Sequence, residues 1–310
     1  MTRAGFAAII GAPNAGKSTL TNRLVGAKVS IVTQKVQTTR FPVRGVAMAG
    51  QSQIVLVDTP GIFSPRRRLD RAMVRSAWGG TEDADAILHL VDVQAELAVE
   101  DGSAKAADKR AIIDVETIIE GLKAAGKTAI LGINKIDGVK RERMLAVVRR
   151  LFETGVYSEV FLISAADGAG VADLRVRLGE LMPEGPFLYP EDQTADLPVR
   201  LLAAEITREK IYLRVHEELP YAAAVETTAF EERKDGSARI EQTIYVERES
   251  QRPIVLGKNG QTLKWIGQKS REELMELFER PVHLFLTVKV DERWADKREF
   301  YGSVGLDFDV

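Results

Sequence analysis

Residues 11–19 read Gly-Ala-Pro-Asn-Ala-Gly-Lys-Ser-Thr, a match to G-x-x-x-x-G-K-[ST]. The run Phe6-Ala7-Ala8-Ile9-Ile10 before it is apolar throughout and reads as a buried strand. After it, Leu20, Leu24 and Val25 recur at helical spacing until Gly26. A strand that enters this loop and a helix that leaves it point to an α/β domain on a mostly parallel sheet, with a phosphate site at the strand's C-terminal end. Gly11 and Gly16 let the main chain turn tightly and approach an anion without a Cβ. The segment Asn14, Ala15, Gly16, Lys17, Ser18 and Thr19 then offers its amides at a positive helix N-terminus. Lys17 adds a full charge for the β and γ phosphates, and the Ser18 hydroxyl suits one Mg²⁺ position.

The chain has 310 residues, enough for two domains with proper cores. With 45% hydrophobic and 28% charged residues it is expected to be neither disordered nor membrane-spanning, and no apolar run approaches the roughly 18 residues of a spanning helix. There is no cysteine, which excludes disulfides, thiolate zinc sites and cysteine nucleophiles and fits a cytosolic compartment. Met1-Thr2-Arg3 passes straight into the first strand, so a signal peptide or anchor is not expected. A net charge of −2 means that any nucleic-acid surface must be a local patch. His89, His216 and His283 stand singly in apolar or helical runs and read as packing or surface residues.

Beyond Gly26, residues 27–44 show little periodicity, and a long irregular segment in a compact domain usually has a function. A phosphate-loop switch needs a second hydroxyl that senses the γ-phosphate through Mg²⁺; Thr38 and Thr39 are the candidates, and Thr39 is taken as the ligand with the choice left open. Residues 43–49 and 53–57 read as strands around the Gly50-Gln51 turn, and the second ends in Asp58-Thr59-Pro60-Gly61. Asp58, at the end of a buried strand beside the phosphate loop, is a Mg²⁺ group, while Gly61 offers an unhindered amide to the γ-phosphate. Residues 63–81, with Pro65, the run Arg66-Arg67-Arg68 and Gly79-Gly80, read as a second mobile element whose arginines are mostly solvated, with one of them able to meet phosphate or a partner. Ala86 to Val91 is a further strand, closed by Asp92, and residues 94–110 read as an exposed loop leading into a helix. The strand over residues 128–133 delivers Asn134-Lys135-Ile136-Asp137. A carboxylate at Asp137 accepts two hydrogen bonds from the N1-H and 2-amino group of guanine, which adenine cannot supply. Asn134 can hold the loop and the purine edge, and the Lys135 stem can cover the ring face. After the strand at 160–163, the small residues Ser164-Ala165-Ala166 let an amide reach guanine O6.

These segments, in this order, resemble the five nucleotide motifs of translation-factor-class small GTPases, and Gln37-Thr38-Thr39-Arg40 is similar to the Era family in particular. That family lacks the water-orienting glutamine that follows D-x-x-G in Ras-like proteins, and Ile62 stands there in this chain. The resemblance implies a GTPase with catalytic roles for Lys17, Thr39 and Gly61 and slow intrinsic hydrolysis.

Four prolines between Pro183 and Pro198, among acidic neighbours, read as a semi-rigid linker, so the expected organisation is a nucleotide domain over 1–182, a linker over 183–198 and a second domain over 199–310. The second half parses as helix (199–216), strand (222–231), strand (238–247), a short element (252–256), Gly257-Lys258-Asn259-Gly260, helix (261–278) and strand (282–290). That order resembles a type II KH domain, a smaller α+β fold whose Gly-x-x-Gly loop clamps single-stranded RNA. Residues 251–271 contain Arg252, Lys258, Lys264, Lys269 and Arg271 and no acid, a plausible phosphate track. Trp265 reads as core, whereas Trp294 is open between core and surface. The pairing of both halves resembles the Era family over the whole chain. This implies binding of GTP and GDP with Mg²⁺, of the 3′ end of 16S rRNA and of the 30S subunit, a role in subunit maturation, and peripheral membrane association. Three other readings of the residues stand beside it: a switch whose C-terminal half binds protein, a P-loop ATPase with a fortuitous N-K-x-D, and a non-catalytic nucleotide-gated scaffold.

Overall fold

The apolar run ahead of the phosphate loop forms β1 (Arg3–Gly11), the central strand of a seven-stranded sheet in the computed structural model, which describes residues 1–33, 35, 37–215 and 219–310. Helix α1 (Lys17–Val25) leaves the loop, and β2 (Val43–Ala49) and β3 (Ser52–Asp58) form the hairpin foreseen at Gly50. The chain continues through α2 (Arg68–Glu82), β4 (Ala86–Asp92), α3 (Val93–Glu100), α4 (Ala106–Ala124), β5 (Ala129–Asn134), α5 (Arg141–Phe152), β6 (Tyr157–Leu162), α6 (Val171–Leu181) and β7 (Ala195–Asp196). The strand order is β6-β5-β4-β1-β3-β2-β7, with β1 parallel to both β3 and β4 and only β2 and β7 running against their neighbours. The order reverses at β1. A crevice therefore opens beyond its C-terminal end, where open α/β sheets bind ligands.

Alternate residues of the strands feed two cores, as a sheet covered on both faces requires. Ala7, Ile9, Leu88 and Leu90 pack with Leu20, Leu24, Leu174 and Leu178 from α1 and α6. Ile10, Ile87 and Val91 pack on the other face with Ala77, Ile118, Leu122 and Val147. His89 is fully buried, its Nδ1 lies 2.8 Å from the Tyr157 hydroxyl, and burial pushes its pKa down to about 3. His283 is exposed on its strand, and His216 lies outside the described residues, as do Gln34 and Val36.

Three expectations are corrected here. Residues 63–81 are largely the helix α2, whose Leu69, Ala72, Met73 and Ala77 are buried at helical spacing. Asp70 accepts from the amides of Arg66 and Arg67, and a Cβ on Gly80 would lie 3.3 Å from the Thr59 methyl. Residues 94–110 hold α3 rather than an open loop, because Asp92 caps its first turn and Val93, Ala95 and Leu97 are buried. The proline-rich stretch, expected as a semi-rigid linker between domains, is counted through Asp196 with the first unit. The amide of Gly185 donates to the carbonyl of Thr2, and Ala195 and Asp196 pair with β2. Buried Gln53 accepts from the amides of Leu188 (2.8 Å) and Tyr189 (2.9 Å) and donates to the Tyr189 carbonyl (2.8 Å).

By its internal contacts the chain divides into a first unit of Met1–Ser30, Thr39–Asp196 and Gly305–Val310 and a second of Ile31–Thr38 and Leu197–Val304. The second unit contains α7 (Val199–Arg214), β8 (Ala223–Glu232), β9 (Ala238–Val246), α8 (Arg252–Leu256), α9 (Gln261–Phe278), β10 (Val282–Val290) and α10 (Arg298–Ser303). Its sheet runs β10-β9-β8, with β9 antiparallel to β8 and parallel to β10. Helices α7 and α9 cover it through Ala203, Ile206, Ile211, Ile266 and Leu274. Leu277 of α9 is 39% exposed. Trp265 packs against the core, and Trp294 is core as well, its indole donating to the Ala222 carbonyl.

Replacing Gln53 with alanine strands three main-chain groups, at about 1–3 kcal/mol for each that water cannot reach. We expect Gln53→Ala to lower the urea midpoint of the first unit and to open residues 183–194 to proteolysis. An unchanged digestion pattern would show that this stretch is held without Gln53.

Candidate nucleotide site and nucleic-acid face

The phosphate loop is shaped by positive-φ residues. Asn14 sits at φ 65° and Gly16 at φ 98°, the left-handed region that glycine tolerates best. Gly16 is required for a second reason: a Cβ there would lie 2.3 Å from Nδ2 of Asn134. No side chain caps α1, so the amides of its first turn are unclaimed by its own residues. Lys17 is buried, and its Nζ donates to the carbonyls of Gly11 and Ala12, both at 3.0 Å, so the ammonium is held across the loop. Burial pulls its pKa down to about 8, against the opposing effect of Asp58 and Asp114.

Beside Lys17, the C-terminal end of β3 brings in Asp58, which is fully buried. Neither carboxylate oxygen accepts a well-formed hydrogen bond. Burial pushes its pKa up, against the hydroxyls of Ser18, Ser30 and Thr39 and the Lys17 charge, which favour the anion. The hydroxyls of Ser18 and Thr39 lie 2.8 Å apart. A buried carboxylate with no well-formed hydrogen bond, next to two hydroxyls, fits a hard, oxygen-seeking cation such as Mg²⁺. Thr38 is placed elsewhere: it belongs to the second unit, where its Oγ1 bonds to Thr33 Oγ1 (2.6 Å) and the Lys35 carbonyl (2.8 Å). Gly61 packs on the phosphate loop, where a Cβ would meet Pro13 at 2.9 Å, and the Ile62 amide donates to the Gly11 carbonyl.

The base end is assembled by Asn134. Its Nδ2 donates to the Ala15 carbonyl (2.7 Å) and its Oδ1 accepts from the Ala165 amide (2.9 Å), joining the phosphate loop to Ser164-Ala165-Ala166. Lys135, at φ 63°, extends to Asp92 with Nζ 2.6 Å from Oδ2. Asp137 and Ala166 are exposed, and Ser164 is buried with its carbonyl on the Gly168 amide. Sequence reasoning missed four supporting residues. Asp92 bonds Lys135 and caps α3; Gln94 donates to the carbonyls of Lys135 and Asp137. Arg23 donates to the carbonyls of Ala165 and Ala166, and Asn22 accepts from the amides of Val29 and Ser30. An aspartate at a strand end followed by a helix-prone run was a readable cap signal. Nothing in the sequence marked Arg23, whose partners lie more than a hundred residues away.

In the second unit, Gly257 (φ 73°), Asn259 (φ 53°) and Gly260 (φ 74°) form a tight loop between α8 and α9. A Cβ on Gly257 would meet Thr262 Oγ1 at 2.3 Å, whereas Gly260 faces open space. Arg252, Lys258, Asn259 and Lys264 are exposed around it. Lys269 is exposed as well but pairs with Glu272 on its own helix at 2.7 Å, which weakens its claim to phosphate.

Residues 6–135 match the family described as 50S ribosome-binding GTPase, and residues 218–295 match the KH domain family. The chain is 74% identical over 309 residues to GTPase Era of Caulobacter vibrioides, covering 100% of this chain and 98% of that one. It is 60% identical to GTPase Era of Maricaulis maris over 99% of this chain and 98% of that one. Its structure matches a crystal structure of Era in complex with MgGDPNP and nucleotides 1506–1542 of 16S ribosomal RNA, with a TM-score of 0.88 and 37% identity over 98% and 99% of the two chains.

The depressed Lys17 pKa sets a pH dependence. Bound phosphate favours the ammonium, so binding should take up a proton above pH 8, where free Lys17 is losing its own. We expect GDP affinity to fall as pH rises from 8 to 10. Calorimetry in two buffers of different ionisation heat checks this, and no proton uptake at pH 9 would contradict it.

Proposed function

Because the chain belongs to the Era family of GTPases and carries a KH domain, we propose that it is a GTP-gated switch that binds the 3′ end of 16S rRNA during maturation of the small ribosomal subunit. The Era protein of the matching crystal structure holds MgGDPNP and a 16S rRNA segment, which supports the same ligands here. The observation that carries the gating is the continuity of the chain at residues 38 and 39. Thr39 stands beside Ser18 in the first unit, while residues 31–38 belong to the second. There the Val32 amide donates to Glu209 (2.9 Å), Lys35 donates to the carbonyls of Tyr212 and Val215, and Arg208 donates to the Thr38 carbonyl. Ordering Thr39 in the nucleotide site therefore acts on a peptide whose other end lies along α7.

In this reading the amides of Asn14, Ala15, Gly16, Lys17, Ser18 and Thr19 hold the β and γ phosphates and the Lys17 ammonium neutralises them. Ser18, Thr39 and Asp58 hold Mg²⁺, which supplies charge neutralisation at the phosphates when bound. The Gly61 amide meets the γ-phosphate, Asp137 reads the N1-H and 2-amino edge of guanine, Lys135 covers the ring and the Ala166 amide faces O6, the Ala165 amide being held by Asn134. Water attacks the γ-phosphorus and the bond to the β-phosphate oxygen breaks, leaving GDP and phosphate. Ile62, which follows D-x-x-G, is buried with its amide on the Gly11 carbonyl and has no polar group to orient that water. Unaided hydrolysis is therefore slow. Arg252, Gly257, Lys258, Asn259, Gly260 and Lys264 line the RNA face, with Lys269 at its margin. No helix among the described residues is long and apolar enough to cross a membrane. The cytoplasmic setting and the peripheral membrane contact implied by the family resemblance belong to this proposal and rest on that resemblance.

Asp137→Asn should shift preference from guanine to xanthine nucleotides by at least about tenfold, one lost bond pattern being worth 1.4 kcal/mol or more. Retained guanine selectivity in competition binding would remove Asp137 from base recognition. Substituting both Gly257 and Gly260 with aspartate should abolish binding of a single-stranded 16S 3′-end oligonucleotide while GTP turnover stays near normal. Unaltered RNA affinity would favour the alternative of a protein-binding C-terminal half.

A further inference from the structure

Helix α2 begins seven residues after Gly61 and carries Arg68, Arg71 and Arg75 at spacings of three and four, which places them on one stripe. In the structure all three arginines meet one short peptide, Gly305–Val310, which reads Gly-Leu-Asp-Phe-Asp-Val and belongs to the same unit as α2. The Arg68 guanidinium lies over the Phe308 ring, 4.5 Å from its centroid. Arg71 Nε donates to the Val310 carbonyl oxygen at 3.4 Å. Arg75 Nη1 donates to the Asp309 carbonyl at 3.2 Å and pairs with Asp307 at 3.3 Å.

The peptide is patterned for this use. Leu306 is buried and Phe308 and Val310 are half-buried, while Asp307 and Asp309 between them are exposed, the alternation of an extended segment with one face on a support. Gly305, at φ 71°, lets the chain turn into it after α10. Alongside the contact runs a cavity of about 570 Å³, lined by Ala72, Arg75, Ser76 and Gly79 of α2 and by Gly305 and Asp307. The groove therefore extends past the peptide's own footprint. Each contact is partly exposed and weak alone, and the set depends on charge and on salt.

We propose that the basic face of α2 is a binding surface for an acidic, aromatic-bearing peptide, and that its ligand in this protein is the chain's own residues 305–310. The peptide straps the helix that follows D-x-x-G. Since it continues directly from α10, any shift of α2 driven from residues 61–67 is passed along the main chain into the second unit. That last consequence rests on the GTPase reading; the strap itself does not.

The test compares hydrogen exchange of α2, with GDP bound, in the full chain and in a chain ending at Val304. Amides of residues 70–80 are expected to exchange about tenfold faster without the strap. The synthetic peptide Gly-Leu-Asp-Phe-Asp-Val should restore protection in trans, and the same peptide with both aspartates changed to asparagine should not. Because truncation can disturb α10, Phe308→Ala and Arg75→Asp in the full chain provide a second route and should each loosen α2, with Asp307→Arg rescuing Arg75→Asp. Unchanged exchange in the truncated chain and in both point variants overturns the proposal. RNA affinity is then measured with a GTP analogue and with GDP. If the strap loosens as expected but the full chain shows no nucleotide dependence of RNA binding, the gating reading fails and the strap stands.

Discussion

The side chain of Asn134 gives both of its polar atoms to backbone, and the nucleotide site is arranged around that choice. Its amide nitrogen reaches the Ala15 carbonyl in the phosphate loop and its oxygen takes the Ala165 amide. Both loops sit at the C-terminal ends of parallel strands, and the order β6-β5-β4-β1 brings those ends to one edge. Gly16 must then be glycine for two separate reasons, its left-handed φ and the nitrogen of Asn134 that occupies the place of a Cβ. A bond of this kind, buried and with both ends on main chain, fixes the separation between the phosphate end and the base end of a nucleotide site before any ligand arrives.

Much of this was legible because the chemistry demands local patterns. The phosphate loop, D-x-x-G and N-K-x-D each combine residue type with a strand that precedes them, and each falls at a strand end in the structure. The elements that escaped were those in which composition misled. Glycines at 79 and 80 and a proline at 65 concealed α2, although Leu69, Ala72, Met73 and Ala77 carried the helical period. The Ala-rich, charged run after Asp92 looked solvated, yet α3 is pinned by a cap and by Glu96, which is buried against Arg150. The contacts of Arg23, Gln53 and the arginines of α2 could not be read at all, because their partners are far along the chain and are mostly backbone carbonyls and amides, which carry no residue signature.

Charge shows the same divide. The window from Arg252 to Arg271 was read by its net sign, and the structure adds that Lys269 is neutralised one helical turn on by Glu272. In α7 the departure is larger: Glu205, Arg208, Glu209 and Lys210 are all buried. They pair with one another, with Glu273 of α9 and with Val32 and Thr38, as in Arg208 with Glu205 and Lys210 with Glu209 and Glu273, although Arg208 Nη1 is left without a partner among the described residues. Buried charges on this scale contribute little net stability but penalise every alternative pairing, so they specify which peptide lies on that helix.

The two-residue strand β7 has a role beyond closing the sheet. Until Ala195 and Asp196 pair with it, β2 presents a row of unpaired main-chain groups beside apolar Val43, Val46 and Ala47. Such an edge recruits any strand that comes near. The stretch that covers it is too short and too rich in proline to become a template itself, and it is synthesised well over a hundred residues after β2. The nucleotide motifs are thus all made before the edge of β2 is covered, and the proline-rich stretch is what removes that edge.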